Sequence, residues 1–204
     1  ESAVAGRLDL RDKVVITIDG ASSKDLDDAV SLERDGLGRW VLGVHIADVS
    51  HYVRPGSALD LEAWERGTSV YFADQVVPML PRELSNGICS LNPRVDRLAL
   101  SCVMTLTPEG EVVDHTIAKS VIRTTERMTY EDCNALLAHS DPALAERYAR
   151  ILPMLEDMAA LSRVLEGRRR RRGALELDTR ESYVVCDESG TPVDVVLRTP
   201  GISE

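Results

Sequence analysis

Apolar positions fall in strand-length blocks through the first two thirds of the chain and at helical spacing in one long stretch after that. Val14-Val15-Ile16-Thr17-Ile18 is a short β-prone run ending at Asp19, so residues 14–19 are predicted to be a strand. Residues 28–35 form a second strand, Asp35-Gly36-Leu37-Gly38 a turn, and residues 40–48 a third strand apolar enough to be central. Pro55-Gly56-Ser57 breaks the chain, with Ser57 as the cap of a helix over about 58–66. Residues 68–72 are β-prone, and 78–93, rich in Pro, Asn, Ser and Gly, read as an ordered surface loop. Two long strands, 98–107 and 112–124, meet at Pro108-Glu109-Gly110. Thr129 caps a helix starting at Tyr130, with Glu131 and Asp132 in its first turn. Pro142 opens a longer helix reaching about Arg171, with Leu144, Ile151, Leu155, Met158, Leu161 and Leu165 along one face. Pro153 is predicted to kink or split it, and Gly173 ends it. A hairpin over 182–187 and 192–198 closes the chain, so the fold class is α+β, with a mixed, largely antiparallel sheet flanked by helices.

At 204 residues, 44% apolar and 28% charged, the chain reads as one globular domain with its own core. No apolar run approaches the roughly 20 residues of a membrane span, and no signal-peptide pattern opens the chain. Cys89, Cys102, Cys133 and Cys186 lie too far apart for a zinc or redox motif, which favours reduced thiols and a cytoplasmic location. His45, inside an apolar strand, is expected to be a satisfied core histidine. A formal net charge of −10 argues against nucleic acid, because phosphate contacts need Lys and Arg. The basic residues are uneven, however: Arg168 to Arg172 is an unbroken run of five.

The candidate chemistry is concentrated in Asp19-Gly20-Ala21-Ser22-Ser23-Lys24-Asp25-Leu26-Asp27-Asp28. Two carboxylates about 4 Å apart repel by roughly 1 kcal/mol in water and about 4 at the effective dielectric of a protein surface. A hard divalent cation offsets this best, taking carboxylate oxygens and sharing a substrate phosphate. On composition alone a solvated acidic turn fits equally well. The apolar Leu26 within the cluster and the strands on either side favour a site. If the segment is extended, Asp25 and Asp27 point one way and Asp28 the other; on a helical turn Asp25 and Asp28 would share a face. A calcium loop starting at Asp19 fails, since Lys24 stands where glycine is needed and Val30 where the closing glutamate is.

This stretch resembles the catalytic signature of the RNB family, which includes ribonucleases II and R. Further blocks follow in register: Val44-His45-Ile46-Ala47-Asp48-Val49-Ser50, Arg66-Gly67-Thr68-Ser69-Val70-Tyr71, Val77-Pro78-Met79-Leu80-Pro81, Leu84-Ser85-Asn86-Gly87-Ile88-Cys89-Ser90-Leu91-Asn92-Pro93, Asp96-Arg97-Leu98-Ala99-Leu100-Ser101 and Arg172-Gly173-Ala174. The resemblance implies a hydrolytic exoribonuclease that degrades single-stranded RNA from the 3′ end and releases nucleoside 5′-monophosphates. It implies Mg²⁺, two ions in all, with Mn²⁺ as a substitute. Carried onto this chain, Asp19, Asp25 and Asp28 are metal ligands. Asp27 is the carboxylate most sensitive to substitution, holding a second metal or orienting the nucleophile. Tyr71 stacks on a base, Tyr130 lies near the last nucleotides, and Leu177 stands where the family usually places a second stacking aromatic.

The same resemblance makes residues 1–204 the N-terminal portion of an RNB catalytic domain. The C-terminal half and the flanking RNA-binding barrel domains are absent, so this piece alone is expected to be inactive. The competing expectation is an RNB-like module that binds RNA or a partner without cleaving. A metal-dependent phosphatase acting on small substrates is a third, which leaves Tyr71 and the 78–93 loop without a role.

Overall fold

A computed structural model of the chain describes residues 3–73, 75–175, 181–198 and 201–203. Its eleven described strands are β1 (Leu8–Asp9), β2 (Ile16–Asp19), β3 (Asp28–Arg34), β4 (Trp40–Ala47), β5 (Val70–Tyr71), β6 (Val76–Val77), β7 (Asp96–Leu106), β8 (Val112–Arg123), β9 (Glu126–Thr129), β10 (Glu181–Cys186) and β11 (Pro192–Arg198). The helices are α1 (Val49–Tyr52), α2 (Ala58–Arg66), α3 (Tyr130–Leu137), α4 (Pro142–Arg147) and α5 (Leu152–Arg171), with a wide π-helical turn at Glu83–Ile88 inside the expected loop.

Seven strands make one sheet in the order β1-β8-β7-β4-β3-β2-β9. The inner pairs are antiparallel, while β1 on β8 and β9 on β2 are parallel, so the sheet is mixed as expected. The four-residue β9 was not foreseen: Glu126, Arg127 and Thr129 give it no apolar period, and it exists because it pairs with β2.

Each face of the sheet has its own core. Helices α3, α4 and α5 cover one face, where Ile16, Leu32, Trp40, Leu106 and Met128 meet Leu136, Ile151, Leu155 and Leu161. On the other face Val15, Leu26, Ala29, Ala47, Ala99 and Ile122 meet Leu84, Cys89 and Leu91 from the 78–93 stretch. Caps act where the sequence placed them: Ser57 Oγ accepts from Asp60 N–H, and Thr129 Oγ1 from Asp132 N–H. Pro153 divides the long helix. Proline lacks an N–H and is tolerated only in a first turn, so α4 ends at Arg147 and α5 restarts with Pro153 near its beginning. His45 is 1% exposed and satisfied on both ring nitrogens, by Ser31 Oγ at 3.0 Å and Ser101 Oγ at 2.7 Å. Burial pushes its pKa down to about 4, so it is neutral at physiological pH.

The N-terminal segment is tied down by an ion pair. Arg7 Nη2 lies 2.6 Å from Asp48 Oδ2, with both side chains almost wholly buried. Burial alone would raise the Asp48 pKa, but hydrogen bonds from Arg7 and Ser50, with Lys119 nearby, hold it below the usual carboxylate range. Removing one partner of a buried pair leaves an uncompensated charge and costs about 3–5 kcal/mol. Arg7→Met is therefore expected to lower stability by about that amount in urea denaturation at neutral pH. Because the folded pKa of Asp48 is depressed, the pair stabilises above the ordinary carboxylate range and is lost as pH falls through the depressed value. The difference between Arg7→Met and the parent should accordingly shrink in acid, and a pH-independent difference would contradict this account.

Candidate active site

The four aspartates meet at one end of the sheet because of where two strands stop and start. Asp19 is the last residue of β2 and Asp28 the first of the neighbouring antiparallel β3. The intervening loop returns to the sheet by burying Leu26, 1% exposed, among the residues of the second core. Leu91 N–H donates to Leu26 O at 2.8 Å, and Ala47 N–H to Asp27 O at 2.9 Å, so the backbone on both sides of the carboxylates is fixed.

With Leu26 and Ala29 both inward, Asp25 is half-buried and Asp27 and Asp28 are exposed. The strict alternation expected for an extended segment therefore breaks at Asp27-Asp28, because the strand begins only at Asp28.

The carboxylates perturb one another. The Asp19 pKa is raised, first by burial, then by Asp28, with Arg127 opposing and Asp25 and Asp27 adding to the rise. The Asp27 pKa is raised by desolvation of its carboxyl group and then by Asp25 and Asp28. Asp19 Oδ2 is buried and has no hydrogen-bond partner. An all-oxygen donor set with an orphaned carboxylate oxygen suits a hard divalent cation. Among the described residues no three His, Cys, Asp or Glu side chains are already arranged as a metal cage.

Tyr71 reaches this site from a separate hairpin, β5 on β6. It is 68% exposed, and its hydroxyl donates to Asp25 Oδ2 at 3.4 Å. That exposure excludes a core role for its ring. Partial burial and the Asp25 carboxylate raise its pKa, so it stays a neutral donor. Tyr130 opens α3 directly after Thr129, the residue paired with Asp19, so it stands beside the acidic end of the sheet. Leu177 lies outside the described residues.

The Arg168–Arg172 run lies elsewhere. Arg168 Nη1 donates to Glu109 O at 3.4 Å, in the turn joining β7 to β8. Ala99 of β7 is level with the aspartates, and Leu106 precedes that turn. At about 3.3 Å per residue Arg168 is on the order of 20 Å along the sheet from the site, while Arg169 and Arg170 line a cavity that also reaches Val30, two residues from Asp28. The run sits at the C-terminus of α5, where positive charge suits the helix dipole. That cavity, of about 760 Å³ beneath α5 and lined also by Leu42, Leu161, Leu165 and Ile202, includes none of the aspartates.

Sequence reasoning missed Arg127. From β9 its Nη2 donates to the carbonyls of Gly20, Ala21 and Ser23 at 3.1, 2.8 and 2.8 Å, gathering the turn between Asp19 and Asp25. No motif announced it, because its partners are backbone atoms more than a hundred positions away.

A family model described as the RNB domain matches residues 7–203. The chain belongs to the RNB family. Ribonuclease R 1 of Lactococcus lactis is 53% identical over 204 residues, covering 100% of this chain and 25% of that protein. Ribonuclease R of Thermotoga maritima is 49% identical over 202 residues, covering 98% of this chain and 28% of its own length. This RNB chain thus spans about a quarter of the curated relatives it matches. Among solved structures, Mycoplasma genitalium RNase R in complex with ribose methylated single-stranded RNA superposes with a TM-score of 0.89 at 31% identity, covering 98% of this chain and 31% of that one. Among the described residues no helix is long and apolar enough to cross a membrane.

Raised carboxylate pKa values mean that ionising this cluster costs stability. A group whose folded pKa lies above its unfolded value favours the fold while protonated, and that contribution is lost as pH rises through the interval. In the absence of divalent ions, Asp27→Asn is therefore expected to raise the urea midpoint at pH 7 relative to the parent. The gain should vanish near pH 3, where the parent carboxyl is also neutral. A lower midpoint at pH 7 would show that Asp27 is stabilising and not strained by its neighbours.

Proposed function

We propose that the protein carrying this chain is a 3′→5′ hydrolytic exoribonuclease that acts on single-stranded RNA and releases nucleoside 5′-monophosphates. The observation that carries this reading is the gathering of Asp19, Asp25, Asp27 and Asp28 at one end of an RNB sheet, with the exposed Tyr71 hydrogen-bonded to Asp25. The relatives named ribonuclease R, and the M. genitalium enzyme with bound RNA, support it.

Asp19, Asp25 and Asp28 hold Mg²⁺, with Mn²⁺ able to substitute, and Asp27 holds a second ion or orients the attacking water. When bound, the ions supply positive charge at the phosphate and lower the pKa of water. The chain's own residues do the rest. The buried Leu26 and the Arg127 clamp keep the carboxylates in place, and Tyr71 offers an exposed ring for a base to stack on, worth about 1–3 kcal/mol whatever the base. Tyr130, beside Asp19, borders the position of the terminal nucleotide.

Residues 1–204 are the N-terminal portion of the catalytic domain. The exposed apolar side chains of β10 and β11, Val195 and Leu197 each at 62%, fit a hairpin covered by the rest of that domain. The four free cysteines fit a reducing, cytoplasmic setting.

The test is an assay of the full-length protein on uniformly labelled single-stranded RNA with Mg²⁺. Release of mononucleotides is expected, and Asp27→Asn should lower kcat by at least about 10²-fold while RNA affinity stays within about twofold. Binding without release by the parent would instead identify a non-cleaving RNB module, and equal turnover by Asp27→Asn would remove Asp27 from the site. Tyr71→Ala should lengthen the final undegraded oligonucleotide more than it slows each cut, because stacking sets how short a strand can still be gripped. Unchanged limit products on a sequencing gel would reject stacking at Tyr71.

A further inference from the structure

Asp25 is flanked by two backbone groups that point inward, the carbonyl of Lys24 and the N–H of Leu26. One side chain satisfies both. Ser90 Oγ donates to Lys24 O at 2.9 Å and accepts from Leu26 N–H at 3.1 Å. Ser90 is 0% exposed, and it lies 64 and 66 positions along the chain from these partners. Next to it, the Leu91 N–H to Leu26 O bond at 2.8 Å adds a third link to the same three-residue segment.

Ser90 is itself held firmly. Arg97 Nε donates to Ser90 O at 2.7 Å, and Arg97 Nη2 to Gly87 O at 3.1 Å, bracing the π-helical turn against β7. Leu84 within this turn and Cys89 just after it are buried in the core that also receives Leu26.

We infer that Ser90 is a positioning residue for Asp25 and Asp27. Its hydroxyl closes the backbone around Asp25 into a fixed bend and so sets the direction of both carboxylates flanking Leu26.

A merely structural reading treats Ser90 as a buried hydroxyl that happens to fill the hydrogen-bonding needs of a loop. The two readings differ in where the consequence falls. Loss of any buried hydroxyl bonded to backbone leaves donors and acceptors unsatisfied and lowers stability. Loss of this one should also let the carboxylates drift, and a displacement of about 1 Å at a reacting centre costs on the order of 10²-fold in rate. Ser120 supplies the comparison. It is also 0% exposed, its hydroxyl bonds Ala99 O at 3.3 Å and Ser101 Oγ at 2.6 Å, and it sits on β8, three strands from β3 in the sheet order.

The inference rests on the proposed metal-assisted hydrolysis, and its test separates the two. In the full-length protein, Ser90→Ala, Ser90→Cys and Ser120→Ala are compared for thermal midpoint, kcat and KM on single-stranded RNA, and Mn²⁺ affinity by calorimetry without RNA. Ser90→Ala should lose about ten- to a hundredfold in kcat with KM within about twofold, and bind Mn²⁺ several-fold more weakly. Ser120→Ala should lose thermal stability but keep kcat and Mn²⁺ affinity. Ser90→Cys, with a weaker donor and acceptor of similar size, should fall between. Ser90→Ala indistinguishable from Ser120→Ala in kcat and Mn²⁺ affinity would overturn the assignment. If Ser90→Ala does not fold, full kcat and Mn²⁺ affinity in Ser90→Cys would overturn it equally. A parent that hydrolyses no RNA would refute the proposed function, while the Mn²⁺ comparison would still decide the role of Ser90.

Discussion

Burying Leu26 is what turns a run of carboxylates into a site. A leucine moved from water to a core is worth about 1.5–3 kcal/mol. That is the scale of the repulsion between one close pair of carboxylates at a protein surface, about 4 kcal/mol at an effective dielectric of 20. Leu26 alone therefore cannot hold four anions together. The fold adds the Arg127 guanidinium against three carbonyls of the same loop, and the sheet adds the pairing of β2 with β9 that puts Arg127 there. The residual strain is visible as the raised pKa values of Asp19 and Asp27 and as the buried, unpartnered Asp19 Oδ2. A carboxylate cluster left short of positive charge in this way fits the cation site proposed above.

The sheet explains why the loop is stiff enough for this task. Its two faces are packed separately, by α3–α5 on one side and by the 78–93 stretch on the other. The second core contains Leu26 and Leu91 together, so the segment that carries the aspartates and the segment that braces them pack into one cluster. Tyr71 is outside this arrangement, on a small exposed hairpin joined to the site through one hydrogen bond of 3.4 Å. Carboxylates held by a packed core with a more exposed aromatic beside them suit the proposed reaction, in which the reacting phosphate would be placed accurately and the bases only gripped.

What could be read from the sequence was whatever depended on local pattern. The strands around the aspartates, the caps at Ser57 and Thr129, the break at Pro153 and the satisfied His45 all follow from periodicity, hydrogen-bonding chemistry or proline geometry within a few residues. The role of Leu26 was legible for the same reason, as one apolar residue among charges. Contacts between distant segments were not. β9 is too short and polar to announce itself, and Arg127 and Ser90 act on backbone atoms that carry no sequence signal. The five-arginine run shows why charge was not read without position. It suggests nucleic acid by composition, but it lies at the C-terminus of α5, where its first member, Arg168, bonds the β7–β8 turn.

The central claim is that the aspartates form one cation site held by the fold. Anomalous X-ray scattering from crystals of the full-length protein soaked in Mn²⁺ tests it most directly. A peak at coordination distance from Asp19 Oδ2 and from at least one of Asp25, Asp27 and Asp28 is the predicted result. At saturating Mn²⁺, an ion bound only elsewhere, or none near Asp19, would contradict the account.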